Sequence, residues 1–429
     1  MAWFRRRRDT DPAALKIGIR ATFADPAVRV IIPIVFVVML GFGIVVPILP
    51  LFARSFGVGY GAAGLLISVF AFTRLVAGPV AGPLVDRLGE RVCAASGVTI
   101  VGVSSVLTGL APSFPLAVAF RGAGGSGSAL LFTALMSYLL KTVPKDRMGR
   151  TLGLFYGSFN LGLIAGAPIG GIIAERWGLA SPLFFYAVLL FLSGGMYLLL
   201  IRDPARAGKG RPEGERDLGS GEGGLPGGLR SMLRMRAFRT TIFLNFAYLW
   251  MIASVFDTLV PLFAQEGLGM SPGAIGAVFS VALATELFVL YPAGSAADRL
   301  GRRPVVIPSM AALAIAVSAL GLAPNVLVFG GLMAVLGIAS GYAGVPPGAM
   351  LADVAPGERS GTAVGIFRFA GDVGFVLGPL VGGFAASAFG FRPAFWIASI
   401  PIVLALLLAV RTPETLLPPG DGATLAPRD

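Results

Sequence analysis

The sequence predicts an all-α integral membrane protein with twelve transmembrane helices in two pseudo-symmetric halves of six. Composition is the first observation that predicts this fold. The 429 residues are 55% hydrophobic and 13% charged, and the mean hydropathy is +0.83. These values exceed what a soluble domain of this length buries. About twelve apolar runs, each near the roughly 20 residues that cross a bilayer, follow one another along the chain.

An internal duplication is the second observation. Residues 81–91 read Ala-Gly-Pro-Leu-Val-Asp-Arg-Leu-Gly-Glu-Arg, and residues 293–303 read Ala-Gly-Ser-Ala-Ala-Asp-Arg-Leu-Gly-Arg-Arg. The same offset of 212 positions relates residues 144–149 to residues 356–361. A constant offset at two places predicts that the halves are copies of one unit.

Polar segments divide the chain into five parts. The predicted order is an N-terminal arm (1–28), a first six-helix half (29–201), a linker (202–239), a second half (240–410) and a tail (411–429). The linker is rich in glycine and charge and has no apolar run, so it cannot repay its ordering entropy. Spans 1, 2, 5 and 6 are predicted at about 29–52, 60–85, 150–174 and 181–201, spans 3 and 4 as a hairpin across 111–115, and spans 7 to 12 at about 240–263, 273–296, 304–322, 325–351, 362–388 and 393–410.

Basic residues are concentrated on one predicted side of the membrane. Most of the 34 Lys and Arg residues fall in the arm, the linker, the tail and the short loops that carry the duplicated motif. This bias predicts that these segments and both termini are cytoplasmic, in the cell membrane, and it accounts for the net charge of +12 without nucleic-acid binding. The arm does not have the layout of a cleavable signal peptide.

Histidine is absent and Cys93 is the single cysteine. An internal disulfide and a multi-cysteine metal site are therefore excluded, and no cofactor or metal is predicted. Any group that binds protons near neutral pH is expected to be a carboxylate.

Two parallel halves with a Gly-x-x-x-Asp-Arg-x-Gly loop after spans 2 and 8 resemble the major facilitator superfamily. The resemblance covers about 29–410 and implies a cytoplasmic gate in which the loop aspartate clamps the facing half; the alternative is a solvated turn that only joins helix ends. Glu90 stands where that family usually has a basic residue, so the first clamp is expected to use Arg87 or Arg91, or to be weaker. The gate residues implied are Gly82, Asp86, Arg87, Gly89, Arg91, Gly294, Asp298, Arg299, Gly301 and Arg302.

Two further motifs resemble the drug:proton antiporter branch of that family. Residues 121–127 in span 4 match the branch's arginine and glycine spacing, with Gly124 in place of the usual glutamine. Residues 374–383 in span 11 reproduce its Gly-x-x-x-Gly-Pro-x-x-Gly-Gly string, whereas residues 162–171 in span 5 have the proline displaced by one. The resemblance implies an exporter.

Small residues four apart lie on one helix face and allow backbones to approach. This spacing predicts either static helix packing or a contact that slides between the halves, with prolines supplying bends. The residues concerned are Gly162, Gly166, Pro168, Gly374, Gly378 and Pro379.

Charged side chains within predicted spans are the candidate functional residues. Each costs about 2.5 to 3.5 kcal/mol at mid-bilayer, so such groups usually face a cavity or a partner. Glu286 lies 212 positions after Arg74, so the halves carry opposite charges at one position. We expect Arg74 to pair with Asp372 as the halves rock, the alternative being a permanent structural pair, such as one between Arg368 and Asp372. The six residues are Arg74, Arg121, Asp257, Glu286, Arg368 and Asp372.

Glu286, Asp257 and Asp372 are the candidate proton carriers. Burial favours the protonated form of a carboxylate and a nearby arginine favours the ionised form. Glu286 has no cationic residue in its own span and is the first choice. Arg121 is expected to tune such a carboxylate or to anchor the cavity.

These observations predict a monomeric secondary active transporter that uses alternating access and exports lipophilic or cationic small molecules in exchange for protons. The alternatives are proton-coupled uptake or exchange of an anionic or polar solute, favoured by Arg74 and Arg121, and a membrane sensor that binds without transport. An enzyme is excluded because no histidine is available for a Ser/His/Asp set and no metal site is visible. No Gly-x-x-x-x-Gly-Lys-Ser/Thr loop indicates ATP use.

Overall fold

A computed structural model describes residues 26–143, 148–200, 232–355 and 360–416 of the chain. Within these ranges the structure is helical, without strands, and twelve helices are long and apolar enough to cross a membrane. The predicted fold class is therefore confirmed. Most of the arm, the linker and the tail, and the duplicated loops at 144–147 and 356–359, lie outside the described residues.

The helices follow the predicted order with small shifts at their ends. Span 1 is interrupted after Val45 and span 7 contains a stretch of π-helix, Ile252–Leu259. The helices are Pro26–Val45 with Leu49–Arg54, Tyr60–Leu88, Glu90–Gly109, Phe114–Thr142, Met148–Trp177, Ser181–Leu200, Arg236–Met251 with Ile252–Leu259 and Val260–Glu266, Pro272–Leu300, Arg302–Leu320, Val326–Val354, Ser360–Phe389 and Phe391–Arg411.

The two loops that carry the Asp-Arg-x-Gly motif, after span 2 and after span 8, are single-residue turns. Gly89 joins span 2 to span 3 with a φ of 86°, and Gly301 joins span 8 to span 9 with a φ of 106°. An L-residue rarely adopts such a conformation, so each loop needs glycine to reverse the chain in one step. This requirement explains why both copies of the motif keep a glycine there.

The halves repeat each other in detail. Thr73 donates a hydrogen bond to the carbonyl of Gly122 at 2.6 Å, and Thr285 donates one to the carbonyl of Ala334 at 3.1 Å. Both residues of the second bond lie 212 positions after those of the first. Each half also has its own buried apolar cluster. The duplication seen in the sequence is therefore a repeat of the packing.

The glycine motifs of spans 5 and 11 pack within their own halves. A Cβ at Gly166 would lie 2.3 Å from the carbonyl oxygen of Leu40 in span 1, and one at Gly378 would lie 2.8 Å from that of Trp250 in span 7. Gly162 and Gly374 make similar approaches to the same two helices. These contacts favour static packing over a contact that slides between the halves.

Pro168 and Pro379 lie instead where the halves meet. A Cβ at Gly276 would come within 2.9 Å of the Cα of Pro168, and one at Gly64 within 2.1 Å of the carbonyl oxygen of Pro379. Pro168 has no N–H for the carbonyl of Ile164, four residues before it. Ser280 of the other half donates to that carbonyl at 2.8 Å, so the interface satisfies the group that the proline leaves free.

The two halves touch at one end of the bundle and separate at the other. We call the end that carries Gly89 and Gly301 the motif end, and the opposite end the distal end. At the distal end a Cβ at Gly276 would lie 2.2 Å from the carbonyl oxygen of Ala167. Toward the motif end a Cβ at Gly78 or Gly294 would have no neighbour within 4 Å. The structure is closed at the distal end and open at the motif end.

Candidate functional site

A cavity of about 290 Å³ lies between the halves. Its walls are mainly apolar and aromatic, with a few polar groups, which is the usual makeup of a small-molecule site. Both halves contribute, as the predicted binding position between them requires. The lining residues are Phe42, Gly43, Val46, Pro47, Arg74, Phe159, Asn160, Leu163, Ala167, Tyr248, Leu249, Ile252, Phe256, Asp257, Phe279, Leu283, Glu286 and Phe375.

Arg74 on span 2 and Asp372 on span 11 form an ion pair across the two halves. The Arg74 Nη2 lies 2.9 Å from the Asp372 Oδ1, and both side chains are a little under 30% exposed. The Arg74 guanidinium also lies 5.4 Å from the ring centre of Phe375. The predicted pair is present in this conformation, and its position between the halves means that their relative motion acts on it.

Glu286 on span 8 faces the cavity beside a tyrosine. The Tyr248 hydroxyl lies 3.1 Å from Glu286 Oε1 and donates a hydrogen bond to it, and the same hydroxyl lies 3.4 Å from Ser340 Oγ. Within the described residues Glu286 forms no ion pair. Its surroundings in the C-terminal half are thus polar but without a cation.

Asp257 lies in the π-helical part of span 7. Thr258, next to it, donates a hydrogen bond to the carbonyl of Ala253, five residues back, at 2.8 Å. Isolated π-helical turns are frequent at functional sites, because the extra residue re-aims neighbouring side chains. Asp257 is 8% exposed and forms no hydrogen bond or ion pair with any described residue, although Arg74 acts on it electrostatically.

Arg121 on span 4 lies at the end of a side chamber of the cavity. The chamber has a volume of about 20 Å³ and shares Phe42, Val46, Asp257 and Phe375 with the main cavity. That volume admits about one water molecule. The Arg121 guanidinium stacks on Phe70 at 4.3 Å from the ring centre, and its Nε and Nη1 have no hydrogen-bond partner among the described residues.

Arg121 and Asp257 therefore line one small chamber from opposite halves of the protein. Both are almost fully buried, and a buried charge without compensation is costly. A single water could donate to the carboxylate and accept from the guanidinium. The expectation that Arg121 acts on a carboxylate stays a prediction, and the shared chamber makes Asp257 the candidate carboxylate.

Arg368 lies apart from this cluster. It lines a second cavity, of about 560 Å³, at the motif end, together with Asp86, Lys141 and Tyr156. It forms no ion pair within the described residues, so the alternative pairing with Asp372, one turn away, is not made. Asp372 turns toward Arg74, because both face the space between the halves.

The first gate motif pairs with a lysine of its own half. Asp86 lies 3.6 Å from the Nζ of Lys141 on span 4, and the buried Glu90 pairs with the same lysine. Arg91 donates to the carbonyl of Leu198, and Arg87 is exposed. Lys141 thus lies between the two carboxylates and serves both, whereas a clamp to the facing half that uses Arg87 or Arg91, or is weaker, stays a prediction.

The second gate motif keeps one of these pairs with its charges reversed. Arg302 lies 2.6 Å from Asp298 and 3.0 Å from Asp353 on span 10. Arg302 is equivalent to Glu90 and Asp353 to Lys141, and Arg299 is exposed. Among the described residues, the ion pairs of both motifs lie within their own halves.

Glu414 fixes the segment after span 12 to this second motif. Its carboxylate accepts backbone N–H bonds from Arg302 at 2.9 Å and Arg303 at 3.0 Å, at the start of span 9. Burial acts to raise the pKa of Glu414, but the backbone N–H donors outweigh it and hold the pKa below the ordinary value. The carboxylate thus caps a helix N-terminus in its ionised form.

The hydrogen bonds that close the distal end come in pairs related by the offset of 212 positions. Ser68 donates to the carbonyl of Val376 at 2.7 Å, and its equivalent Ser280 donates to the carbonyl of Ile164. Gly61 N–H donates to Ser387 Oγ at 3.2 Å, and the equivalent Gly273 N–H donates to Glu175 at 3.1 Å. All four bonds join opposite halves.

One ion pair lies on the pseudo-two-fold axis at this end. Arg54 Nε is 2.8 Å from Glu266 Oε1, and the two residues are equivalent positions of the two copies. Tyr60 donates a hydrogen bond to the same carboxylate. Sequence analysis did not single out these residues, because they lie at helix ends where exposed charges are common.

Sequence analysis also missed most of the aromatic lining. Phe42, Phe159, Phe256, Phe279 and Phe375 face the cavity, yet phenylalanine in an apolar span carries no signal of the direction it faces. Asn160 and Tyr248 line the same cavity. Trp250 is buried instead and donates to the carbonyl of Ala398.

A model of the Major Facilitator Superfamily matches residues 31–282 and 263–428. The chain belongs to this superfamily. This membership, with the twelve apolar helices, agrees with the prediction of a multi-pass membrane protein that is not an enzyme.

Similar curated proteins include two named for drug resistance. Quinolone resistance protein NorA of Staphylococcus aureus (strain MSSA476) is 26% identical over 257 residues, which are 58% of this chain and 63% of that protein. Multidrug resistance protein 1 of Bacillus subtilis (strain 168) is 28% identical over 171 residues, 40% of this chain and 44% of that protein. The matched part thus spans less than two thirds of each relative.

Solved structures with the same fold cover nearly the whole chain. A bacterial homologue of the human lysosomal transporter Spinster, in an inward-facing and unoccupied conformation, superposes with a TM-score of 0.73 at 16% identity, over 90% of this chain and 94% of that one. The nucleoside transporter NupG superposes with a TM-score of 0.72 at 13% identity, over 90% and 98%. At these identities the likeness concerns the fold alone.

Proposed function

We propose that the protein is a secondary active transporter that exports lipophilic or cationic small molecules across the plasma membrane in exchange for protons, by alternating access. The observation that carries the proposal is the cavity between the halves, closed at the distal end and lined by aromatic rings and by two carboxylates, Asp257 and Glu286, that have no ion-pair partner among the described residues. The concentration of basic residues at the motif end supports a cytoplasmic position for it. This conformation would then be inward-facing.

Charge favours a cation over an anion in this cavity. Arg74 is already paired with Asp372, whereas neither Asp257 nor Glu286 forms an ion pair within the described residues. A lipophilic cation would supply the missing charge and stack on the phenylalanine rings. The names of the relatives from Staphylococcus aureus and Bacillus subtilis, which refer to quinolone and multidrug resistance, agree with this substrate class.

Protons and substrate would compete for the same carboxylates. An ionised carboxylate in such surroundings is costly unless a proton or a cation accompanies it. Glu286 is our first choice for the coupling proton, with Asp257, beside Arg121, as the second. Exchange follows if substrate arrives from the motif end and protons from the distal end.

Anionic solute transport is the second candidate, and Arg121 is the observation that favours it. Its buried Nε and Nη1 have no hydrogen-bond partner among the described residues, and the residue lines a chamber joined to the cavity. A substrate carboxylate reaching into that chamber would satisfy them. Asp257 in the same chamber opposes such a ligand, which places this candidate second.

Purified protein in liposomes that contain a pH-sensitive dye, under an imposed proton gradient, tests the proposal. Lipophilic cations should evoke proton release, and Glu286→Gln should reduce it at least tenfold because the amide cannot carry a proton. Glu222→Gln, the same change in the predicted linker, is the matched control and should behave as the unmodified protein. A response to organic anions alone, removed by Arg121→Ala, would establish the second candidate instead.

A further inference from the structure

Glycines toward the motif end of the inter-half helices have no packing reason in this conformation. At the distal end, a Cβ on the equivalent faces would lie 2.1 to 2.4 Å from backbone oxygen of the other half, so glycine is required there. Toward the motif end a Cβ would meet nothing within 4 Å at Gly78, Gly82, Gly153, Gly157, Gly294 and Gly365. Glycine within a helix costs roughly 0.5 to 1 kcal/mol relative to alanine. A second conformation would explain these residues.

The distal contacts define how spans 5 and 8 face each other. Gly171 meets Pro272 and Ala167 meets Gly276, and one step further the carbonyl of Ile164 meets Ser280. Each step of three or four residues along span 5 matches a step of four residues in the opposite direction along span 8. These steps keep to one face of each helix.

The same steps continue to the open end. The next step along span 5 reaches Asn160. Two further steps reach Gly157 and Gly153, which this register places opposite Leu287 and Tyr291 of span 8. Tyr291 lies on the face of span 8 that carries Gly276 and Ser280, about 16 Å beyond Ser280 at 1.5 Å per residue. It is 81% exposed, and a glycine faces it across the gap.

Spans 2 and 11 repeat this arrangement. Tyr60 meets Gly383 and Gly64 meets Pro379, and the following step is the hydrogen bond from Ser68 to Val376. Continued to the open end, this register places Pro79 opposite Gly365, the equivalent of Tyr291 opposite Gly153. Gly365 has no side chain there and so allows the helix that carries Pro79 to approach closely.

We propose that the motif end closes by extending these two registers, and that Tyr291 then packs on Gly153 to seal the cavity from that side. The inference rests on the alternating access proposed above and adds the contacts of the conformation not seen here. The Tyr291 ring fills the gap between the halves, and Gly153 has no side chain to obstruct it, so closure needs no rearrangement within either half.

Disulfide formation tests the register directly. In a Cys93→Ala background, Gly153→Cys and Tyr291→Cys should form a disulfide when the motif end closes, because bridging needs Cα atoms within about 7 Å. Arg54→Glu, which places two acidic residues on the distal axis, should favour that closure and increase the cross-linked fraction severalfold. Gly153→Cys with Val289→Cys is the matched control, since Val289 packs against Gly341 inside its own half and should not cross-link.

A reporter at the distal end separates the two proposals. Ser68→Cys in the same backgrounds lies in the distal contact and should react with a thiol reagent only when that end opens. Reaction at this cysteine without any disulfide between positions 153 and 291 would overturn the register. If this cysteine stays unreactive both in Arg54→Glu and when a lipophilic cation is added under a proton gradient, alternating access itself fails and the inference with it. An increase in both the cross-linked fraction and the labelling of the cysteine at position 68 would support the closure.

Discussion

Four equivalent positions in the two halves carry opposite charges. The first half has Arg54, Arg74, Glu90 and Lys141 where the second has Glu266, Glu286, Arg302 and Asp353. At the gate motifs the reversal preserves a pair, because both partners changed sign together. In the cavity only Arg74 finds a partner, Asp372. Glu286 is left facing the space, and this imbalance makes the cavity suited to protons or cations.

The pair between Arg74 and Asp372 gives a prediction at this scale. Arg74→Asp and Asp372→Arg alone should each lower transport about tenfold or more, since each leaves two like charges facing across the halves. The double reversal restores an attractive pair and should recover a substantial part of the activity, measured as proton release in liposomes. No recovery at all would show that the pair does not work as a unit.

Helix packing within each half depends on glycine at defined positions. The carbonyl oxygen of Leu40 lies where a side chain on Gly166 would begin. The equivalent contact of Gly378 with span 7 shows that the first helix of each half packs on the fifth in the same way. These contacts hold each half together and leave the relative motion to the surface between halves.

Gly166→Leu should therefore destabilise the first half. A side chain 2.3 Å from backbone forces spans 1 and 5 apart, and overpacking of this kind usually costs about 1 to 3 kcal/mol. The expected result is a midpoint of thermal unfolding in detergent several degrees lower. Gly195→Leu is the matched control, because nothing lies within 4 Å of a Cβ there. Equal midpoints for the two variants would contradict this packing.

The whole molecule is held closed at the distal end by contacts between equivalent positions. A residue on a pseudo-two-fold axis faces its own equivalent, so identical residues there would bring like charges together. Arg54 and Glu266 avoid this by differing in sign. Their bond exists only while the distal end is closed, so it stabilises the conformation described here over the opposite one.

Arg54→Glu should consequently shift the population toward the distal-open conformation. Two carboxylates on the axis repel, and loss of a pair this exposed is worth about 1 kcal/mol, or roughly a fivefold change in the ratio of conformations. The measurement is thiol labelling of a cysteine at position 68. Arg54→Glu combined with Glu266→Arg restores an opposite-charge pair and should return labelling to its original level. Unchanged labelling in Arg54→Glu alone would show that the pair between Arg54 and Glu266 does not stabilise the closed distal end.

The sequence by itself determined the membrane class, the twelve spans, the duplication and its offset, and the small set of embedded charges, because hydropathy, repeat spacing and isolated charges are local properties. It also supplied the pair between Arg74 and Asp372, since helical rise gives the two residues similar depths and the resemblance to the superfamily implies that their helices face each other. Only the tertiary structure decided that Asp86 turns to Lys141, that Arg121 shares a chamber with Asp257, and that the glycine motifs pack within halves. The physical reason is rotational: depth follows from counting residues, whereas the direction a side chain faces depends on how each helix is turned against its neighbours.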